Sequence, residues 1–235
     1  MGRLLSILRA RLREGPFRAL LSDLAYFLRD STPERRRARF GDLDFDFERR
    51  VDTTASNLAT VVRLAGAAAG AGYQPTDPAL FHSMLGRLHV DFSPFTFIDL
   101  GSGKGRALLL AADYPFRRII GVELLPELHR VALDNLARYR SESQRCFVIE
   151  SRCLDAADFH FPPQPTVLYL FNPLPESALR SVLERFSASL ASHPRDAYVL
   201  YTNPILEHLL SSSRHWSRHS GSEQYAIYAS IGGGR

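Results

Sequence analysis

The run Phe97-Ile-Asp-Leu-Gly-Ser-Gly-Lys-Gly-Arg106 holds the residue types best suited to grip a ligand. An apolar strand ends at Asp99-Leu100. The chain then passes Gly101, Ser102, Gly103, Lys104 and Gly105 before entering a helix at Arg106. Glycines at alternate positions let the backbone turn tightly and approach a ligand with no Cβ in the way. Glu123 closes the next apolar run, 22 positions after Gly101. At that distance a carboxylate is placed to accept hydrogen bonds from both ribose hydroxyls of an adenosine.

Three ligand classes compete for such a loop. A phosphate-cradling loop needs Gly-x-x-x-x-Gly-Lys-Ser/Thr, but Gly105 follows Lys104. A dinucleotide loop needs Gly-x-Gly-x-x-Gly, and Arg106 stands where its third glycine would fall. A carboxylate two residues before the first glycine, here Asp99, repels a diphosphate and welcomes a cation. The ligand that suits this set is S-adenosylmethionine, a sulfonium carrying an amino-acid tail. Lys104 is expected to project to solvent, with direct cofactor contact as the alternative, and Arg106 simply to start the helix.

Asp99-Leu-Gly-Ser-Gly-Lys-Gly105 together with Glu123 resembles the class I, seven-stranded S-adenosylmethionine-dependent methyltransferases, from about Gln74 to the C-terminus. The resemblance implies that Asp99, Gly101, Ser102, Gly103 and Gly105 surround the methionine part and that Glu123 holds the ribose. Leu154-Asp155-Ala156 resembles the motif after the third strand, which makes Asp155 and Ala156 the adenine candidates; Asp158 is the runner-up, read as a surface carboxylate. Asn172-Pro173 resembles the start of the Asn/Asp-Pro-Pro-Tyr motif of amine methyltransferases, so Asn172 is expected to serve both cofactor and acceptor. Leu174 and Pro175 replace that motif's second proline and its aromatic ring, which removes the stacking partner for a flat base. Tyr73-Gln-Pro-Thr76 resembles the gate segment of some seven-strand protein-lysine methyltransferases, implying a catalytic Tyr73 and a cofactor-binding Thr76. Asn203-Pro204 is a further candidate for the acceptor pocket.

Strand and helix patterns alternate behind these residues. Strands are predicted at Phe95–Leu100, Arg118–Val122, Cys146–Glu150, Thr166–Phe171 and Ala197–Tyr201, and helices at Arg106–Ala112, Pro126–Tyr139 and Ser177–Leu190. A short helix from Ile205 leads to a hairpin, roughly His215–Ser220 and Gln224–Ile231, turned at Gly221-Ser222. This order predicts an α/β fold: a doubly wound, mostly parallel seven-stranded sheet with a C-terminal antiparallel hairpin and an N-terminal helical extension. Residues 94–235 would form the core and 51–93 a helical cap or gate, with Thr76 or Asp77 capping a helix to about Leu88. Residues 1–50 read as a basic amphipathic helical extension and linker, in which Asp42–Glu48 is a solvated stretch, or alternatively an edge strand or substrate-facing loop.

Composition narrows the function classes. With 45% hydrophobic and 23% charged residues among 235, the chain is globular rather than disordered. Residues 1–50 hold 12 Arg against 8 Asp and Glu, and 51–235 balance at 17 against 17. The core thus lacks the basic stripe that announces a nucleic-acid partner. The extension, with Leu4, Leu5, Ile7, Leu8 and Leu12 among Arg3, Arg9, Arg11 and Arg13, is expected either to pack on the core or to touch a membrane surface or partner through residues 1–28. No histidine or cysteine spacing suggests a metal, and Cys146 and Cys153 suggest a reducing, cytoplasmic setting. The alternatives to an enzyme of this class are a non-catalytic adenosine-nucleoside-binding module acting through the N-terminal helices, or an NAD-dependent oxidoreductase. The methyl acceptor is expected to be a nitrogen on a protein side chain or small amine, and the oligomeric state is open.

Overall fold

The computed structural model describes residues 44–54, 74–171 and 174–232. The chain divides into two compact units, Met1–Asp44 and Phe45–Arg235, and the sheet belongs to the second. The expected amphipathic extension, and with it the membrane or partner contact through residues 1–28, lies outside the described residues. So do Tyr73 and Asn172. No described helix is long and apolar enough to cross a membrane.

Seven strands form one sheet in the order β3-β2-β1-β4-β5-β7-β6. They are β1 (Thr96–Leu100), β2 (Arg118–Glu123), β3 (Ile149–Cys153), β4 (Thr166–Phe171), β5 (Ala197–Thr202), β6 (Trp216–Gly221) and β7 (Tyr225–Ser230). The first five are parallel; β7 runs antiparallel between β5 and β6, as the predicted hairpin requires. Among the described residues from Gln74 onward, the helices are α1 (Pro78–Gly86), α2 (Arg106–Ala111), α3 (Pro126–Arg138), α4 (Glu176–Ser192) and α5 (His208–Ser211).

Strands buried on both faces read as continuous apolar runs, which is why β1, β2, β4 and β5 stand out in the sequence. Alternate residues feed two cores. Phe97, Ile119, Val167 and Tyr169 pack with α1 and α2 on one face. Ile98, Leu100, Leu168 and Leu170 pack with Leu179, Val182 and Phe186 of α4 on the other. The chain order reverses between β1 and β4, so the crevice at their carboxyl ends is the switch point where such sheets bind ligands.

Strand β3 departs from expectation by three residues. The apolar run Cys146-Phe-Val148 suggested a strand, yet pairing begins at Ile149, opposite Ile119, and ends at Cys153, opposite Glu123. As an edge strand β3 needs only one partner and tolerates polar side chains. Glu150 there meets Arg118 at 3.2 Å and Arg152 at 2.8 Å, while Phe147 and Val148 are exposed.

Candidate functional site

The glycine loop links β1 to α2, and its three glycines all take positive φ, +83° at Gly101, +54° at Gly103 and +86° at Gly105. L side chains rarely adopt that region, so the alternate spacing is a backbone requirement. The amides of Gly101 and Ser102 both reach the Val122 carbonyl, at 2.8 and 3.0 Å, and the Gly105 amide reaches the Ser102 carbonyl at 2.8 Å. Ser102 is buried beneath the loop. A Cβ on Gly121 would lie 2.8 Å from its Oγ, and that oxygen has no hydrogen-bond partner among the described residues.

Glu123, 6% exposed, ends β2 beside the loop. Its Oε2 accepts the Gly103 amide at 2.7 Å and its Oε1 the Leu125 amide at 2.8 Å. A carboxylate offers about four acceptor directions, so these two amides do not exhaust it. Burial raises the Glu123 pKa, and the amides of Leu125, Gly103 and Leu124, with His129, oppose that rise. Asp99, 4% exposed, shares the sheet face of Glu123, because it pairs with Gly121 two residues upstream. Burial first, then the Glu123 charge, pushes its pKa up to about 8. Near neutrality and without ligand, the carboxyl therefore holds its proton. A positive charge approaching this pair would help it to ionise.

Asp155 stands at the carboxyl end of β3, next to Glu123 at the end of β2: the Leu154 amide donates to the Glu123 carbonyl at 3.1 Å. Its own side chain is exposed and caps a single 3-10 turn, Ala156–Asp158, by accepting the Ala157 amide at 2.8 Å. Ala156 is buried and Asp158 exposed. On the other side of the crevice, Asp77 is the cap of α1, accepting the Leu80 amide at 2.9 Å. Thr76 is buried instead, and its hydroxyl meets the Tyr169 hydroxyl at 3.2 Å, which in turn accepts from Thr202 Oγ1 at 3.1 Å. Tyr169 pairs with Asp99 across β1 and β4. Burial drives the Tyr169 pKa well above the usual phenol range, so this hydroxyl stays neutral. Asn203 follows β5 directly with φ +50°, in the left-handed region that Asn tolerates.

Three expectations about the loop and its flank are corrected. Residues 44–49 are helical, and Asp46 is buried rather than solvated. Its Oδ2 accepts the amides of Thr53 and Thr54, at 2.8 and 2.7 Å, and the Thr54 hydroxyl at 2.7 Å; the Thr53 hydroxyl donates to Oδ1. Lys104, 3% exposed, does not project to solvent. Its ammonium donates to Asp52 Oδ1 at 2.7 Å and to the Thr54 carbonyl at 2.9 Å. Arg106, 1% exposed, does more than start a helix: its Nε donates to Thr53 Oγ1 at 2.7 Å, and an Nη lies 3.4 Å from Asp46. Buried charges require such partners. The sole lysine of the chain and an arginine two residues later, both next to glycines, were the available signal.

Among the described residues, no group of three or more His, Cys, Asp or Glu side chains could hold a metal ion. No protein-family model and no curated protein sequence matches the chain. Solved structures do. An RNA methyltransferase from Salinibacter ruber, in complex with S-adenosyl-L-homocysteine, is similar at 20% identity over 69% of this chain and 95% of that one, with a TM-score of 0.45. A predicted N6-adenine-specific DNA methylase from Listeria monocytogenes is similar at 17% identity over 68% of this chain and 52% of that one, TM-score 0.49. A ribosomal protein L11 methylase from Lactobacillus delbrueckii subsp. bulgaricus is similar at 14% identity, over 66% of this chain and 77% of that one, TM-score 0.45. These chains resemble the present one in fold.

Proposed function

We propose that this chain is an S-adenosylmethionine-dependent methyltransferase that methylates a nitrogen on a protein side chain or small amine. The observation that carries the cofactor assignment is Glu123: buried at the end of β2, it accepts the Gly103 amide on Oε2 and the Leu125 amide on Oε1, and its carboxylate keeps acceptor capacity for a ribose hydroxyl. The group fits its surroundings in other respects. Asp99 lies close enough to Glu123 to feel its charge, so a bound cation relieves both, and Gly101 is open on the loop. Arg106 fills the position that a dinucleotide loop gives to its third glycine.

The cofactor, when bound, supplies an already activated methyl group on a sulfonium. The chain's own task is then to hold the nucleoside, align the acceptor and exclude water. Glu123 would hold the ribose, Asp155 and Ala156 the adenine side, and Gly101, Gly103 and Gly105 the methionine side. Thr76, fastened to Tyr169, would keep the Gln74–Asp77 segment against the crevice. Asn172 and Tyr73 are assigned to acceptor positioning on their sequence context alone. The balanced charge of residues 51–235 and the missing ring after Asn172 support an amine acceptor over a nucleic acid.

Calorimetric titration with S-adenosylmethionine and with NADH tests the cofactor. Binding of the first and not the second is expected, and the opposite pattern overturns the proposal. Asn172→Ala should then lower turnover with cofactor affinity nearly intact. Mass spectrometry of methylated lysate fractions tests the acceptor: methyl groups found only on oxygen or sulfur would remove the nitrogen assignment.

A further inference from the structure

We propose that Lys104 and Arg106, through Asp52 and Asp46, are positioning residues for the cofactor: they fasten residues 45–54 to the outer side of the glycine loop and so hold its backbone in the ligand-accepting shape. This role presupposes the cofactor assignment above.

The loop is tied on two sides. On the inner side every tie comes from β2 or its end, through the Val122 carbonyl and the Glu123 carboxylate. On the outer side the side chains of Lys104 and Arg106 reach residues 45–54. Lys104 Nζ reaches Asp52 and Thr54, and Arg106 reaches Thr53 and Asp46. The Arg106 guanidinium also sits over the Phe45 ring, 4.8 Å from its centroid. Asn135 of α3 stitches both strands of this clasp together. Its Nδ2 donates to the carbonyls of Lys104, at 2.9 Å, and Asp52, at 2.8 Å, while its Oδ1 accepts the Asp52 amide at 2.7 Å.

The position of the two cations explains their use. Lys104 and Arg106 flank Gly105, and Lys104 follows Gly103, the residue whose amide closes on Glu123. A chain with three left-handed glycines has many shapes available and needs external ties to keep one. The Arg106–Asp46 pair is buried on both sides and the Lys104–Asp52 pair on the lysine side alone; such pairs add little net stability, and their use here is to set register. At this spot register means where the Gly103 amide meets the Glu123 carboxylate, the group assigned to the ribose.

The test uses Asp52→Asn, Lys104→Met and their double variant in the full chain. Asp52 has an exposed side chain, and the Asn substitution keeps both of its backbone bonds to Asn135, so folding is retained. S-adenosylhomocysteine titrations, melting temperatures and hydrogen exchange of residues 101–106 are read together. The expected result is a tenfold or greater rise in Kd for each single variant, a double variant no worse than either single, and faster loop exchange. Asp52→Glu, which keeps the carboxylate, should recover affinity to within threefold of the native chain. Dissociation constants within twofold of native for Asp52→Asn and Lys104→Met, with loop exchange unchanged, would overturn the positioning role alone. A native chain that binds neither S-adenosylmethionine nor S-adenosylhomocysteine would overturn it together with the cofactor assignment.

Discussion

The Gly103 amide donates to Glu123 Oε2 at 2.7 Å, so the carboxylate assigned to the ribose also closes the glycine loop. One side chain thereby couples the shape of the loop to the ligand it receives. Glu123→Ala should weaken S-adenosylhomocysteine binding by roughly 1.5–3 kcal/mol, the size of hydrogen bonds to a charged group. Calorimetry checks this, and an unchanged dissociation constant would refute the role.

Asp99 gives a pH signature. Its folded, ligand-free pKa of about 8 exceeds its ordinary value of 3.8, so between these values the folded chain holds a proton that the unfolded chain has lost. The stability contributed by the protonated form is fully present below about pH 4 and declines as pH rises toward about 8, by at most about 1.4 kcal/mol per pH unit. Urea unfolding of the native chain and of Asp99→Asn across that range should show a shallower decline in the variant. Parallel pH profiles would assign the slope elsewhere.

Cation binding should draw that proton off. Titration of S-adenosylmethionine near neutral pH in two buffers of unequal ionisation enthalpy should show net proton release, reduced in Asp99→Asn. Identical heats in both buffers would mean that Asp99 keeps its proton in the complex.

The Tyr169 hydroxyl joins Thr76 to Thr202 inside the molecule. Tyr169→Phe leaves two buried hydroxyls short of a partner and should cost about 1–3 kcal/mol of unfolding free energy. Because Thr76 anchors the Gln74–Asp77 segment, cofactor affinity should fall as well. Chemical denaturation and calorimetry separate the two effects, and a loss below about 0.5 kcal/mol would show that the hydroxyls find other partners.

Gly121 leaves no room for a side chain, since a Cβ there would lie 2.6 Å from Leu108 Cδ1 and 2.8 Å from Ser102 Oγ. Gly121→Ala should therefore destabilise the fold by about 1–3 kcal/mol and displace Ser102. Thermal unfolding checks the first effect. A melting temperature equal to that of the native chain would mean that α2 shifts away at no cost.

What the sequence by itself determined is local in origin. β1, β2, β4 and β5 are short apolar runs buried on both sheet faces, so each announces itself without its neighbours. The glycine loop is equally legible, because three left-handed positions in five residues leave few choices but glycine. Glu123 followed from its distance to that loop. Tertiary structure decided the rest. The start of β3 at Ile149 rather than Cys146 comes from pairing with Ile119, and an edge strand imposes too weak a hydrophobic pattern to mark its own ends. The clasp of Asp46 and Asp52 on Arg106 and Lys104 joins residues about fifty to sixty positions apart. Nothing in the charge pattern of 42–48 separates a buried acid from solvated ones: Asp46 is inside and Asp44 outside, on one short helical turn. Burial of a charge depends on the partner that meets it, and only the folded chain brings that partner near.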